Sequence, residues 1–230
     1  MMRTLIKTVV LLAWLGCIPQ IAIADSETFY LADSVDDTFA DAYYNTNLYT
    51  QTYANFGYYT PPTSHQRAFL RYNLGIPLGS TITFAKLRFY GYSTLTGTLG
   101  AYILSLTQAS SPAWRTADGF STTNYADYDA INAIGFIAAF AWDPVPSWTA
   151  NTWYDSPDIS TLVQGQIDSP DYTPGDSVEG YVGYKVYRRS TAACSTCYRQ
   201  FDTYDQGGGN PAELYVEWIS PGAQVIVIQR

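Results

Sequence analysis

Hydrophobic and polar residues alternate with a period of two along several stretches of the chain, which is the pattern of half-buried β-strands. In the first of these stretches Ala68 and Leu70 lie on one face, whereas Arg67 lies on the other. The clearest stretches are Arg67–Leu74, Thr83–Phe89 and Glu213–Trp218, and further candidates are Leu99–Leu106, Val178–Arg188 and Gln224–Ile228.

Turn-forming glycine and proline residues separate these stretches. One short helix is expected, with Asp158 as its cap. Ile159, Leu162 and Val163 follow at the i, i+3, i+4 spacing of a helix face. Residues 107–157 show no clear pattern and are expected to hold long loops. Many strands without a βαβ rhythm predict an all-β fold: a jelly-roll-like antiparallel β-sandwich with long loops and one short helix.

The first 24 residues have the features of a cleaved secretory signal peptide. Arg3 and Lys7 precede an apolar stretch that is too short to span a membrane. Ala22-Ile23-Ala24 fits the small-x-small cleavage rule. We therefore expect a secreted protein, extracellular or at the cell surface, with no membrane span. Its single sandwich domain should cover residues 25–219, followed by an extra strand or tail over residues 220–230.

Composition narrows the function. The chain is 47% hydrophobic, 16% aromatic and only 14% charged, which excludes an acidic disordered tail and a coiled coil. Acidic residues outnumber basic residues 20 to 12, which argues against nucleic-acid binding because few phosphates would be neutralised. Removing the two basic residues of the signal segment changes the formal net charge from −8 to −10.

One stretch, Ala42–Gln66, has no charged residue and is rich in tyrosine, asparagine and threonine. Tyrosine presents a large apolar ring together with a hydroxyl group, so the stretch suits a contact surface for a ligand or another subunit. The alternative is a long loop whose rings cover one edge of the sandwich. The candidate contact residues are Tyr43, Tyr44, Tyr49, Tyr53, Tyr58 and Tyr59.

No catalytic constellation is predicted, and the protein is expected not to be an enzyme. His65 is the only histidine and is expected to be an exposed loop residue, because nothing supplies the oriented base of a triad. Glu213 and Glu217 share a strand face, but four residues at about 3.3 Å each separate them by about 13 Å. That exceeds the spacing of a glycosidase pair.

Cys194 and Cys197 have the C-x-x-C spacing. A thioredoxin-like site would need a βαβ context, and a zinc site would need two further ligands. A disulfide that closes a hairpin loop is therefore the expectation for an exported protein.

The C-terminal stretch is uncharged and β-branched. It can complete the sheet edge of a neighbouring copy by strand addition, or it can pair with an edge strand of its own domain. The residues concerned are Val225, Ile226, Val227 and Ile228.

Several segments occur in an order known from one group of secreted domains. They are Asp36-Asp37-Thr38-Phe39, Asn55-Phe56-Gly57-Tyr58, Arg67–Leu74, Ile76–Tyr90, Pro157–Gln164, Arg199–Tyr204 and Pro211–Val216. This order resembles the DNRLRE-type, disaggregatase-related domains, which look like carbohydrate-binding modules with a jelly-roll β-sandwich. The resemblance implies a non-catalytic module that binds polysaccharide or a cell-surface glycan. The C-terminal tail departs from it.

Two further expectations follow. Asp33, Asp36 and Asp37 cluster near the mature N-terminus and suit a structural Ca²⁺ of the kind such sandwiches carry; otherwise they cap turns. No other cofactor is predicted. The alternative function is a structural subunit of an extracellular filament or sheath, whose partners are copies of itself joined by β-strand addition.

Overall fold

β-Strands dominate the secondary structure. The structure is a computed structural model and describes residues 24–41, 46–48, 50–60, 64–107, 133–189, 197–207 and 209–222. Its strands are β1 (Asp25–Tyr30), β2 (Asp37–Asp41), β3 (Thr46–Leu48), β4 (Tyr53–Thr60), β5 (Ser64–Asn73), β6 (Thr81–Tyr90), β7 (Leu99–Leu106), β8 (Phe136–Val145), β9 (Trp153–Asp155), β10 (Tyr181–Arg188), β11 (Tyr198–Asp202) and β12 (Glu213–Ile219). An α-helix, α1, spans Ser160–Ile167, and 3-10 helices span Ser34–Asp36 and Tyr204–Gln206.

The strands form two antiparallel sheets. The smaller sheet has the order β1-β12-β6-β9, and the larger sheet has the order β11-β4-β5-β10-β7-β8. β2 pairs with β5 and β3 pairs with β2 beside this path. The two sheets pack as a sandwich, so the predicted all-β antiparallel fold is confirmed.

The core lies between the sheets and is built by the alternation that the sequence shows. On β6, Ala85, Leu87 and Phe89 are fully buried, and the intervening Lys86 and Arg88 remain partly exposed. The inward residues of β5 and β12 are likewise buried: Ala68, Leu70, Tyr72, Leu214, Val216 and Trp218. On β5, however, the outward Phe69 and Arg71 are buried as well. The predicted inward residues are therefore correct for β12, for Ala68–Tyr72 of β5 and for Ala85–Phe89 of β6. At the start of β6 the alternation fails: Thr83 is exposed and Ile82 is buried, because the pairing with β12 shifts register there.

The expected short helix is present, but its cap differs from the prediction. The N-cap residue is Ile159, and its side chain makes no capping bond. Asp158 lies one residue earlier, where its carboxylate accepts hydrogen bonds from the backbone N–H of Ser160 at 2.9 Å and of Ala85 at 3.1 Å. Asp158 thus ties the start of the helix to β6. Leu162 and Val163 face the core as predicted.

Two regions expected to be loops contain strands. Within residues 107–157, β8 and β9 extend the larger and smaller sheets respectively. Within the tyrosine-rich stretch, β4 is a strand of the larger sheet, and its Phe56 is fully buried. Apolar residues on both faces of these strands mask the period-two signal.

No helix in the described ranges is both long and apolar enough to cross a membrane.

Candidate functional site

The structure describes only part of the predicted tyrosine surface. Tyr53 is half-buried on β4, and its ring centroid lies 6.0 Å from that of Phe39 and 5.1 Å from that of Tyr92. Its ring therefore contributes to packing at the edge of the core. The backbones of Tyr58 and Tyr59 belong to β4, but their side chains lie outside the described part of the chain. Wholly outside it are Tyr43, Tyr44 and Tyr49.

Three further predictions involve residues beyond the described ranges. Cys197 is buried just before β11, but its predicted partner Cys194 is not described, so the disulfide stays a prediction. The strand-addition residues Val225–Ile228 are not described. Nor is the signal segment before residue 24.

The three aspartates predicted to bind calcium have other partners. Asp33 caps the first 3-10 helix, and its carboxylate accepts a hydrogen bond from the Ser34 N–H at 2.6 Å. Asp36 pairs with the Arg71 guanidinium at 2.5 Å, and both side chains are buried. Asp37 accepts a hydrogen bond from a backbone N–H of the second 3-10 helix at 3.0 Å.

These residues do not fit a Ca²⁺ site. A guanidinium that already neutralises Asp36 would repel a second cation. In the ranges that the structure covers, no group of three or more His, Cys, Asp or Glu side chains converges as metal ligands. The turn-capping alternative describes Asp33 and Asp36 correctly.

A cavity of about 260 Å³ opens where β5 begins and β10 ends. We call it the basic cavity. Its lining combines three arginines, the single histidine, a tyrosine ring, an amide and a glycine: Arg67, Arg188, Arg189, His65, Tyr187, Gln66 and Gly57. None of the described residues in this lining is acidic.

Strand register brings these residues together from distant parts of the sequence. β5 and β10 pair antiparallel, with Tyr187 directly opposite Arg67. β4 pairs with the start of β5, with Gly57 opposite Gln66. Gly57 has a φ of +122°, and a Cβ there would lie 2.4 Å from a backbone oxygen of the chain entering β11. Only glycine permits this close approach, which places β11 beside the cavity wall.

The positive charges at the cavity act on one another. Burial lowers the pKa of His65, and the nearby charges of Arg67 and Arg188 lower it further. Burial likewise lowers the pKa of Lys185, two residues before Tyr187, to about 8, with Arg67 contributing. The arginines therefore make this end of the sheet electropositive, and His65 is neutral at pH 7. His65 is a half-buried residue of a strand, not the exposed loop histidine that the sequence suggests.

Aromatic rings are interleaved with these cations on the outer face of the larger sheet. The rings of Tyr187 and Tyr102 lie 5.7 Å apart. The Arg189 guanidinium lies 5.7 Å from the centre of the Tyr102 ring. The Lys185 ammonium lies 5.3 Å from the centre of the Phe69 ring and 5.9 Å from that of Tyr187. Cation–π contacts of this kind hold the charged groups against a rigid sheet.

Two carboxylates near the basic cavity neutralise part of its positive charge. Asp143 on β8 pairs with Arg189 at 2.7 Å, and both side chains are nearly half exposed. Asp41 is buried and accepts a hydrogen bond from the Gln66 amide at 2.8 Å, which fixes the orientation of that side chain.

The arrangement suits binding through fixed donors and a ring face. Guanidinium groups donate in planar pairs, and the tyrosine ring offers an apolar platform. Sequence reasoning missed these residues. Two local signals could have found them: the run Tyr187-Arg188-Arg189 in a chain with few basic residues, and the lone Gly57 within a strand.

No protein-family model matches the chain, and no curated protein matches it. The resemblance to DNRLRE-type, disaggregatase-related domains therefore stays a prediction.

Proposed function

We propose that this protein is a secreted, non-enzymatic module that binds polysaccharide, and that the basic cavity is its binding site. The observation that carries the proposal is the combination of the Tyr187 ring with guanidinium and amide donors around one cavity. Sugars present apolar ring faces and a belt of hydroxyl groups, so they are recognised by aromatic platforms flanked by planar hydrogen-bonding side chains.

The size of the cavity agrees with this ligand class. At about 260 Å³ it lies just below the ~300–1,000 Å³ that encloses drug-sized molecules. It suits one sugar unit of a chain that continues across the surface. Binding of this kind is weak at each unit and is strengthened when several modules or several units engage at once.

The test is retention of the purified protein on a panel of soluble polysaccharides in affinity gel electrophoresis. The variant Tyr187→Ala should weaken retention by about tenfold, because it removes the ring platform. Tyr215→Ala is the matched control, since Tyr215 is a half-buried tyrosine on the smaller sheet. Retention on no polysaccharide would exclude the proposed function.

A second candidate is the subunit of an extracellular filament, and β8 favours it. In the described residues β8 ends the larger sheet, and its Phe136 and Ile137 are 58% and 42% exposed. The strand is ten residues long and contains one charged residue, Asp143. A long apolar edge strand is a template for pairing with another chain. The C-terminal residues Val225–Ile228 of a second copy are the proposed partner.

Electron microscopy of the secreted protein tests this candidate. Deleting residues 223–230 should abolish filaments, and Ala141→Lys on β8 should do the same by placing a charge on the exposed edge. Thr83→Lys on β6 is the control, because Thr83 is exposed but lies on a strand with partners on both sides. Filaments that survive the deletion would exclude strand donation.

A further inference from the structure

Charge is distributed unevenly over this acidic protein. The chain carries a formal net charge of −8. Even so, three arginines line the basic cavity, and Lys185 lies beside it. Among the residues that the structure describes, these four cations outnumber by two the carboxylates of Asp41 and Asp143, which contact the cavity lining.

The described cations of the smaller sheet are matched by acids. Lys86 and Arg88 on the smaller sheet share Asp155, and Arg88 also contacts Glu213 at 2.7 Å. This cluster of two cations and two carboxylates is neutral. The excess at the basic cavity is therefore a local feature of one end of the larger sheet.

We propose that the basic cavity binds the acidic group of an anionic polysaccharide, a carboxylate or a sulfate ester. This inference rests on the proposed function and deepens it by naming the ligand class. Arg67 lies directly across the strand pair from Tyr187, and Arg189 follows two residues later. A sugar ring stacked on Tyr187 thus places its acidic substituent within the range of a guanidinium on either side, and guanidinium groups bind such anions through two parallel hydrogen bonds.

The net negative charge of the protein does not oppose this binding at moderate salt. Exposed charges farther away than about 10 Å are largely screened at 0.1 M ionic strength. The ligand therefore responds to the cavity and not to the average charge. Binding should weaken as salt is raised, because the ligand group and the arginines are partly exposed.

The test uses pairs of polysaccharides that differ only in charge, measured by affinity gel electrophoresis and calorimetry. Polygalacturonate is compared with its fully methyl-esterified form, and dextran sulfate is compared with dextran. The charged member of a pair should be retained at least about tenfold more strongly than the neutral member. The first pair reports a carboxylate ligand, and the second reports a sulfate ligand.

Variants connect the result to the cavity. Arg67→Gln should weaken binding of the charged polymer about tenfold, and should weaken binding of the neutral polymer much less, because the neutral polymer has no anionic group to pair with the guanidinium. Lys86→Gln removes the same charge from the other sheet and is the matched control. Asp143→Asn should strengthen binding, because it removes a carboxylate that competes for Arg189. Thermal melting of each variant shows whether it is folded.

The outcomes separate the two claims. Equal retention of charged and neutral polymers, with Tyr187→Ala still harmful, would overturn the anionic ligand and leave polysaccharide binding intact. Equal losses from Arg67→Gln and Lys86→Gln would also overturn the anionic site, because the effect would then follow net charge alone. No retention of any polymer would overturn both.

Discussion

At the scale of single residues, the buried ion pair between Asp36 and Arg71 joins the first 3-10 helix to β5. One Asp36 oxygen accepts hydrogen bonds from the backbone N–H groups of Ala32 and Asp33, at 2.9 and 3.2 Å. The other accepts from Arg71 at 2.5 Å. The Arg71 guanidinium also lies 4.2 Å from the centre of the Tyr181 ring. Each buried charge therefore has partners, as burial requires.

Replacing one member of this pair should be costly. Arg71→Met leaves the Asp36 carboxylate buried without its counter-charge, and we expect a loss of about 3–5 kcal/mol in the free energy of unfolding. Lys86→Met breaks a pair whose members are partly exposed and should cost less than about 1 kcal/mol. Urea denaturation of both variants makes the comparison. Similar small losses would show that the buried pair contributes no more than the exposed one.

Asp37 is the next residue along and should make stability depend on pH. Burial raises its pKa well above the usual value; the hydrogen bond from the Tyr204 N–H opposes the shift, and the charges of Asp205 and Asp36 add to it. The folded state thus favours the neutral carboxyl group. This preference contributes its full stabilisation below about pH 4, and the contribution is lost as the pH rises through the raised pKa.

The variant Asp37→Asn tests this directly. The variant has no ionisable side chain at this position. Its free energy of unfolding, relative to that of the wild type, should therefore increase with pH, by up to about 1.4 kcal/mol per pH unit above pH 4. Asp168→Asn replaces an exposed carboxylate after the helix and is the matched control. Urea denaturation from pH 4 to pH 8 supplies the curves. If the difference in free energy of unfolding between Asp37→Asn and the wild type did not change with pH, the Asp37 carboxylate would already be charged in the folded protein.

At the scale of elements, the sequence predicts strands where one face is buried and the other is solvated. β6 and β12 meet this condition, and their alternation places their buried residues correctly. β8 does not, because its apolar residues include exposed ones such as Phe136 and Ile137. β5 meets the condition only in part. Arg71 on its outer face is buried, because its charge is paired with Asp36 in the tertiary structure. A local sequence pattern contains no information about such a pair.

The candidate site was less accessible to prediction than the fold. Arg67 and Tyr187 are 120 residues apart and meet because β5 and β10 pair in one register. Periodicity identifies each strand but not its partner. Net charge also conceals the site, because the acidic average of the chain hides a local group of cations. Gly57 is the exception, since a lone glycine within a strand signals a close backbone approach.

The close approach at Gly57 leads to a prediction for the stability of β4 and β11. Gly57→Ala forces a Cβ to within 2.4 Å of the Cys197 carbonyl oxygen at a φ of +122°, so β4 and β11 must separate. We expect a loss of more than about 1 kcal/mol in the free energy of unfolding. Gly75→Ala is the matched control, because no atom lies within 4 Å of its added Cβ. Denaturation curves that coincide for the two variants would show that β11 does not depend on this approach.

At the scale of the whole molecule, the two ends of the larger sheet come together. β11 and β8 end the sheet order on opposite sides, yet both contribute rings that contact Phe89 of the smaller sheet. The Phe89 centroid lies 5.0 Å from that of Phe201 and 5.9 Å from that of Trp142. The larger sheet therefore curves around an aromatic core, which agrees with the twist of antiparallel sheets.

Arg199 joins these two ends by hydrogen bonds. It is a fully buried residue of β11, and its guanidinium donates to the carbonyl oxygens of Pro146 at 2.8 Å, Val145 at 3.3 Å and Gly97 at 2.8 Å. Val145 is the last residue of β8. A planar group with several fixed donors can satisfy carbonyls from separate segments at once, whereas a lysine ammonium has a different geometry.

Arg199→Lys should therefore weaken the contact between β11 and the end of β8 and destabilise the sandwich. Carbonyl groups left buried without donors cost about 1–3 kcal/mol each, so the loss in free energy of unfolding should exceed about 2 kcal/mol. Arg88→Lys on the smaller sheet retains a partly exposed charge and should change little. Because Trp142 and Trp148 lie in the shared core, tryptophan fluorescence and far-UV circular dichroism should shift together during denaturation. An earlier fluorescence transition with unchanged circular dichroism would mean that the two ends open independently of the sheets.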